Sequence, residues 1–540
     1  MLKLNAFGVR NLRSLEDTGL IELKPITILV GKNSAGKSTF ARILPLLKQS
    51  SERRKQGPLL WFGRLVDFGS FDEAVSSFAG NRLIDFQFQF KGSFTTFQGR
   101  RSPRSDALSP GEQGSVDVTL QLGAEGEDGR TVLRALALDI FGVKIKITGA
   151  TSKEPQVDID GQPVRMPSNG RAFLAQGAIL PVLRLLFRGE AAVSTVSDAA
   201  FFSTPQMERL GLARVRAAIG AFVHGNTLTE RKDEIARRLP VASPNVLLEY
   251  CRSLAGVPDT WRTNMAASTS QTPKVLELQR ALVVFNLESL LAELDDAILS
   301  FSAGVSYLEP LRATAQRYYR REEVSIEELD PKGLNTTFFL QGLSIRERDE
   351  LNGWLISTFG FSLSVRTVGG HSSLNIEIEA MGHSRNMADV GLGYSQLVPV
   401  AIQLWASMRR RPIRSPLLTR SAVSSSQRAL APIVVVEQPE LHLHPAYQAK
   451  LADVFAACVA KRDVGDESSR RLPLRIVAET HSPNLINRLG ELVGEGALSA
   501  DDVQVIVFES EFPNPATSIR IAKFDDKGIL QNWPIGFFEY

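Results

Sequence analysis

The segment Gly31-Lys32-Asn33-Ser34-Ala35-Gly36-Lys37-Ser38 constrains this chain more than any other feature. It fits G-x-x-x-x-G-K-[ST] and lies between a continuous apolar run, Ile26–Val30, and a stretch of helical period, Lys37–Lys48. A strand, a glycine turn and a helix in that order form a cradle for phosphate. The glycines let successive backbone N–H groups of Asn33, Ser34, Ala35 and Gly36 curl around an anion, and the helix N-terminus already favours negative charge. Lys37 can bridge the β- and γ-phosphates, the Ser38 hydroxyl can complete a Mg²⁺ shell, and Thr39 is placed near the α-phosphate. With 41 glycines in 540 residues, chance supplies roughly 0.02 matches to this pattern. An ordinary glycine turn is therefore the weaker reading, and ATP with Mg²⁺ is the expected ligand pair.

Such a cradle needs a carboxylate, because Mg²⁺ retains waters that an acid must hold. The run Ile433-Val434-Val435-Val436 reads as a strand buried on both faces, and Glu437 ends it. Glu437 is accordingly expected beside Ser38. Shorter strands are expected at Leu2–Phe7, Ile21–Leu23, Ile84–Phe90, Val116–Leu122, Val143–Thr148, Ser362–Val368 and Ser373–Glu379, with Leu474–Ala478 as the final core strand. From about Arg171 to Thr314 the period turns helical, for example in Ala172–Phe187 and Lys274–Phe301. A further helix is expected over Ser395–Met408. No heptad pattern persists, which argues against a long coiled-coil arm. The expected class is α/β, a mixed sheet flanked by helices with an antiparallel β lobe and a large helical insertion. Its expected parts are 1–160, a mainly helical insertion at 161–330, and 331–540. Loops are expected at Arg100–Ser115 and Arg409–Ala429.

Beside the acidic strand, Val436-Glu437-Gln438-Pro439-Glu440-Leu441-His442-Leu443-His444-Pro445 resembles the Walker B segment of bacterial ABC-type (SMC/OLD-like) AAA ATPases, including the stand-alone ATPases of phage-defence systems. Three more segments are similar to that group. Gly8-Val9-Arg10-Asn11-Leu12-Arg13-Ser14-Leu15 resembles its opening strand and loop, Gly391-Leu392-Gly393-Tyr394-Ser395-Gln396-Leu397 its degenerate signature, and Glu479-Thr480-His481-Ser482-Pro483 its switch-histidine loop. Tyr307-Leu308-Glu309-Pro310-Leu311-Arg312 and the ending Asn532-Trp533-Pro534-Ile535-Gly536-Phe537-Phe538 also look like those of defence ATPases. The resemblance implies a head-to-tail homodimer, or a higher oligomer, with ATP sandwiched at the interface. Gly393, Ser395 and Gln396 would touch the γ-phosphate held by the other copy's Lys37, His481 would sense that phosphate, and Arg13 would approach the adenine.

One position departs from the pattern. Where the group carries a catalytic glutamate after the Walker B acid, this chain has Gln438, and an amide cannot accept a proton from the attacking water. Glu440 or His481 would have to serve, or turnover is slow and ATP acts mainly as a clamp. The usual Mg²⁺-side glutamine is represented only by Gln56, which reads equally well as a solvated loop residue. His442 and His444 form H-x-H, but no third nitrogen or sulfur ligand is near in sequence, so a Pro-bounded loop explains them better than a metal.

A net charge of +3 excludes a chain built as a whole to bind polyanions, leaving only local basic patches. Arg53-Arg54-Lys55, Arg317-Tyr318-Tyr319-Arg320-Arg321 and Arg409-Arg410-Arg411 are the candidates for a nucleic-acid contact. Cys251 and Cys458 read as buried thiols, without metal or disulfide spacing. No stretch of 18 apolar residues and no leader pattern is evident, so a cytoplasmic protein with no membrane association is expected. Two functions compete. One is a regulatory ATPase that licenses a separate effector, such as a nuclease, in phage defence. The other is a DNA-binding ATPase of the SMC-like recombination or repair kind. A self-contained nuclease is disfavoured, because Asp501-Asp502 lacks an accompanying acidic strand pattern.

Overall fold

A computed structural model describes residues 2–53, 55, 57–94, 112–127, 129–149, 156–164, 170–173, 178–185, 206–320, 326, 328–379, 382–409, 432–460, 474–511 and 514–533. Gln56, most of the loops expected at Arg100–Ser115 and Arg409–Ala429, and the end of the chain from Pro534 lie outside these residues.

The strand Ile26–Gly31 is buried at every residue and lies at the heart of a parallel block. On one side it pairs with Val503–Glu511, and on the other with Arg475–Glu479. Arg475–Glu479 in turn pairs with Ile433–Glu437, and that strand with Val305–Leu308. Within these strands the side chains alternate between two cores. Leu29, Val435, Val477, Ile506 and Phe508 join one, packed on the helices Lys37–Ala41, Ile43–Glu52 and Leu287–Ala303. Ile28, Val30, Val434, Val436, Ile476 and Ala478 join the other, under Leu392–Arg409, Pro445–Val459 and Pro483–Gly494. A run that is apolar at every position is what two covered faces require, since successive side chains point to opposite sides.

Beyond Val503–Glu511 the sheet turns antiparallel through Asn514–Phe524, which meets Leu15–Asp17 and then Leu2–Leu12. It continues into Leu83–Phe94, Glu112–Glu125, Arg130–Ile140 and Val143–Thr148, forming the expected β lobe. The α/β class with this lobe and a helical insertion is therefore the observed one. A separate antiparallel sheet joins Phe361–Val368, His371–Ile378, Ser384–Asn386 and Tyr319–Arg320.

The insertion has its own core. Helices Gln206–Gly220, Thr229–Arg238, Pro244–Ser253, Asp259–Ala267 and Pro273–Phe285 converge on Trp261, fully buried, whose indole N–H donates to the Cys251 carbonyl at 2.9 Å. Trp261→Ala should cost about 3–5 kcal/mol through cavity and transfer terms. Loss of the first urea transition should report it, and a shift below about 1 kcal/mol would contradict this packing.

Several expectations are corrected. Within Ala172–Phe187, residues 172–173 and 182–185 are strand instead of helix, because Gly170–Phe173 and Val182–Leu185 pair antiparallel; 174–177 and 186–187 lie outside the described residues. The segment's apolar run fits either state, and Pro181 before the second strand removes a helical donor. Lys37–Lys48 divides at Arg42, where Pro45 cannot donate to the carbonyl of Ala41. Lys274–Phe301 divides at Asn286. Leu474–Ala478 is not the last core strand, since Val503–Glu511 borders the phosphate-loop strand.

Candidate nucleotide site

Three strand ends converge at the C-terminal edge of the parallel block, the usual place for ligands in such sheets. Register sets Glu437 beside Glu479, and Glu479 beside Leu29. The loop after Gly31 then turns into the helix Lys37–Ala41, which Gly36 caps at φ +88°. Both motif glycines are demanded by close packing as well as by conformation. A Cβ on Gly31 would lie 2.4 Å from the Phe508 carbonyl oxygen, and one on Gly36 would lie 2.6 Å from Leu15 Cδ2. Asn33, Ser34 and Ala35 form the turn between them, with Ser34 itself left-handed at φ +65°.

Lys37 is buried, and its Nζ donates to the carbonyls of Gly31 at 3.0 Å and Lys32 at 2.8 Å. It lies 3.8 Å from Glu479 Oε1. Burial lowers its pKa, with Glu479 opposing the shift. Thr39 is also buried, on the first turn of the helix. The Ser38 hydroxyl donates to Glu479 Oε2 at 2.6 Å. The carboxylate at Ser38 is thus Glu479, which the sequence reading quoted only within the switch-histidine segment.

Glu437, the acid expected there, is engaged otherwise. Arg42 Nε and Nη2 donate to its two oxygens, each at 2.7 Å, and the Tyr307 hydroxyl donates to Oε1 at 2.7 Å. Burial alone would lower the Arg42 pKa, but the bonds to Glu437 and the neighbouring Tyr307 raise it above its ordinary value. The Tyr307 hydroxyl is driven up by burial and by the Glu437 charge. A bidentate arginine–carboxylate pair whose acid is buried and whose arginine is half-buried is strong in place and costly to break. Glu437, expected beside Ser38 as the Mg²⁺ carboxylate, thus has its side chain bonded to Arg42, one helical turn beyond Ser38, while Ser38 bonds Glu479.

Arg312 holds the exit of the acidic strand. Its guanidinium donates to the carbonyls of Glu309 at 3.0 Å, Glu437 at 3.2 Å and Gln438 at 2.9 Å. Burial pulls its pKa down to about 10, against the pull of Glu440. Gln438 is left-handed at φ +45°, with its backbone N–H donating to the Glu479 carbonyl at 2.8 Å. Glu440 Oε1 accepts from the His481 backbone N–H at 2.8 Å, tying the two loops together, and burial raises its pKa. The His481 ring has its pKa lowered by burial and then by the Lys37 charge. A neutral imidazole there can donate to an anion without carrying its own charge. Arg13, at φ +51°, stacks over Phe68 with its guanidinium carbon 4.7 Å from the ring centroid, and its pKa is lowered by burial and then by Arg42. Its guanidinium is packed on the protein's own aromatic ring.

The signature segment departs from expectation. Its helix starts at Leu392, so Ser395 lies inside the first turn instead of capping it. Ser395 is buried and its Oγ accepts from Ala315 N–H at 3.5 Å. Gln396 is also buried, and its amide pairs both ways with the Arg312 backbone, at 3.1 and 2.9 Å. Within the single chain these two side chains face inward, toward Ala315 and Arg312. Gly393 touches the loop after the acidic strand, where a Cβ would lie 2.9 Å from the His442 carbonyl oxygen. Gly391 and Leu392 are the exposed residues of this turn.

The donor set suits a nucleotide with Mg²⁺. A small hydroxyl, two buried carboxylates on adjacent strands and a lysine at a helix N-terminus are the protein's share, since Mg²⁺ takes its remaining ligands from phosphates and water. Among the described residues no group of three His, Cys, Asp or Glu side chains could hold a metal unaided. His444 instead caps the helix Pro445–Val459 through Nδ1, which accepts from Ala446 N–H at 3.3 Å. Of the basic patches, Arg317 pairs with Asp389, and Arg409 pairs with Glu350 and stacks on Trp405. No helix among the described residues is long and apolar enough to cross a membrane.

The family model described as AAA ATPase domain matches residues 2–98 and 303–486, slightly more than half of the chain. Among curated proteins none matches. The chain is similar to the Smc head domain with an extended coiled coil bound to the C-terminal domain of ScpA from Pyrococcus furiosus, at 8% identity, 97% coverage of each chain and a TM-score of 0.34. It is also similar to the SMC head domain from Thermotoga maritima, at 10% identity, 96% and 98% coverage and a TM-score of 0.29. Likeness at that level carries no argument about binding or partners.

Proposed function

Because the chain belongs to the AAA ATPase domain family, we propose that it binds ATP with Mg²⁺ at the Lys37 loop and uses the nucleotide to pair two copies head to tail, thereby controlling a separate effector, such as a nuclease, in phage defence. The observation that carries the nucleotide reading is the convergence of Lys37, Ser38, Glu479 and the His481 loop at one sheet edge. Support for coupling to pairing comes from Arg312. It bonds both the Glu437 carbonyl and the Gln396 side chain on the helix that follows the exposed Gly391–Leu392 turn.

Hydrolysis is proposed to be slow. Gln438 has no carboxylate, and the Oε1 of Glu440 is engaged by the His481 backbone N–H. Steady-state turnover of tens per second by the purified chain would contradict this.

Pairing is tested at Leu392, which is exposed and outside the nucleotide's cis contacts. Leu392→Arg should leave ATP affinity within about twofold while abolishing the ATP-dependent rise in mass seen by light scattering. If the variant still pairs with ATP, the signature turn is not the contact. The effector reading predicts a stable complex with the product of a neighbouring gene and weak DNA binding by the chain alone. Tight, salt-sensitive DNA binding by the ATP-bound chain would favour the recombination or repair reading instead.

A further inference from the structure

The loop that carries His481 is pinned by hydrogen bonds on both sides of that residue. Thr480 N–H donates to the Leu29 carbonyl at 3.0 Å, and Ser482 N–H donates to Thr480 Oγ1 at 3.0 Å. Ser482 is buried and caps the helix Pro483–Gly494, its Oγ accepting from Leu485 N–H at 3.1 Å. The cap uses the Ser482 oxygen as an acceptor only, and its proton goes to Gln448 Oε1 at 2.7 Å. Gln448 lies in the first turn of Pro445–Val459, and Oε1 also accepts from Asn484 Nδ2 at 3.3 Å. Its Nε2 donates to the Leu443 carbonyl at 3.0 Å. One side-chain amide thus spends its acceptor beside His481 and its donor on the loop that follows the acidic strand. An amide suits this place because it presents a donor and an acceptor side by side.

The second loop reaches further. The His442 carbonyl oxygen, next to Leu443, is the atom that a Cβ on Gly393 would meet at 2.9 Å. His442 is itself left-handed at φ +62°, a conformation that a non-glycine residue keeps when its surroundings impose it. We propose that Gln448 is a positioning residue, clamping the His481 loop to the His442–Leu443 turn so that His481 meets the terminal phosphate of a bound triphosphate. This inference rests on the nucleotide reading above. The same clamp joins the His481 loop to the turn on which Gly393 of the signature segment packs. Gln448 is half-buried and acts through Ser482 and Leu443, without touching nucleotide itself.

Competition against a fluorescent ATP analogue in Mg²⁺ gives the affinities of the full chain for ATP and ADP. Gln448→Met keeps the volume and removes both polar atoms. It should weaken ATP roughly 3–10-fold, the scale of one hydrogen bond to the third phosphate, while ADP stays within about twofold. His481→Ala should lose ATP to a similar extent. Adding Gln448→Met to it should cost no more than about twofold further, because the two side chains act as one unit. A side chain that only packs would lower the melting temperature and leave the ratio of ATP to ADP affinity unchanged. That result overturns the proposal, as do losses that multiply in the double variant, or a wild-type ratio in His481→Ala. If Gln448→Met does not fold, Gln448→Glu is read by the same ratio, since it keeps the acceptor for Ser482 but cannot donate to Leu443. A wild-type chain that binds neither nucleotide overturns the underlying nucleotide reading, and the two failures are thereby distinguished.

Discussion

Lys37→Ala weakens ATP binding by roughly 10²–10⁴-fold, the loss expected when two hydrogen bonds from a charged donor to phosphate, each about 1.5–3 kcal/mol, are removed. The ammonium sits within a loop whose backbone is already shaped for an anion, so nothing nearby can replace it. His481 has its pKa lowered, and Arg42 is bound to Glu437, so neither cation is free to take over. The fold should survive. Lys37 contributes two bonds to loop carbonyls, worth about 1.5–3 kcal/mol each and only while desolvated, against the two extensive cores that flank the sheet. Fluorescence anisotropy with a labelled ATP measures the first effect and thermal melting the second. Retained binding in a folded variant would remove the lysine from the site.

Arg42→Ala should destabilise the chain by about 3–5 kcal/mol, because it leaves the Glu437 charge buried with Tyr307 as its remaining side-chain donor. The cost reflects the stranded carboxylate more than the lost arginine. Arg42→Met combined with Glu437→Gln removes both charges at similar volume and should recover much of the loss. Urea unfolding of the two single variants and the double variant gives the coupling directly. Single-variant losses below about 1 kcal/mol would show that the pair is not the anchor described here.

The phosphate loop was legible because its chemistry is local. Lys37 and Ser38 are separated from Gly31 by a fixed turn, and the apolar runs Ile26–Val30 and Ile433–Val436 announce strands covered on both faces. Glu479, Arg42 and Tyr307 were not assigned their roles, because those roles depend on which strand lies next to the loop. A run of apolar residues gives a strand but not its neighbours, and here Arg475–Glu479 intervenes between the loop and Glu437. The segment from Tyr307 to Arg312 did carry a signal. An aromatic and a basic residue flanking Glu309-Pro310 at a strand end turn out to grip the Glu437 side chain and the carbonyls of Glu437 and Gln438. The inward packing of Ser395 and Gln396 was not legible for a related reason. A glycine turn before a helix does not reveal where the first turn begins, and a start at Leu392 rotates both residues toward the core.

The account depends most on a triphosphate being gripped at the Lys37 loop. Isothermal titration of the full chain with ATP, ADP and AMP in Mg²⁺ tests that directly. One ATP per chain is expected, with AMP weaker by about 100-fold or more because it lacks the phosphates that Lys37 and Ser38 address. Equal affinity for AMP and ATP, or no heat of binding with any of them, would contradict it.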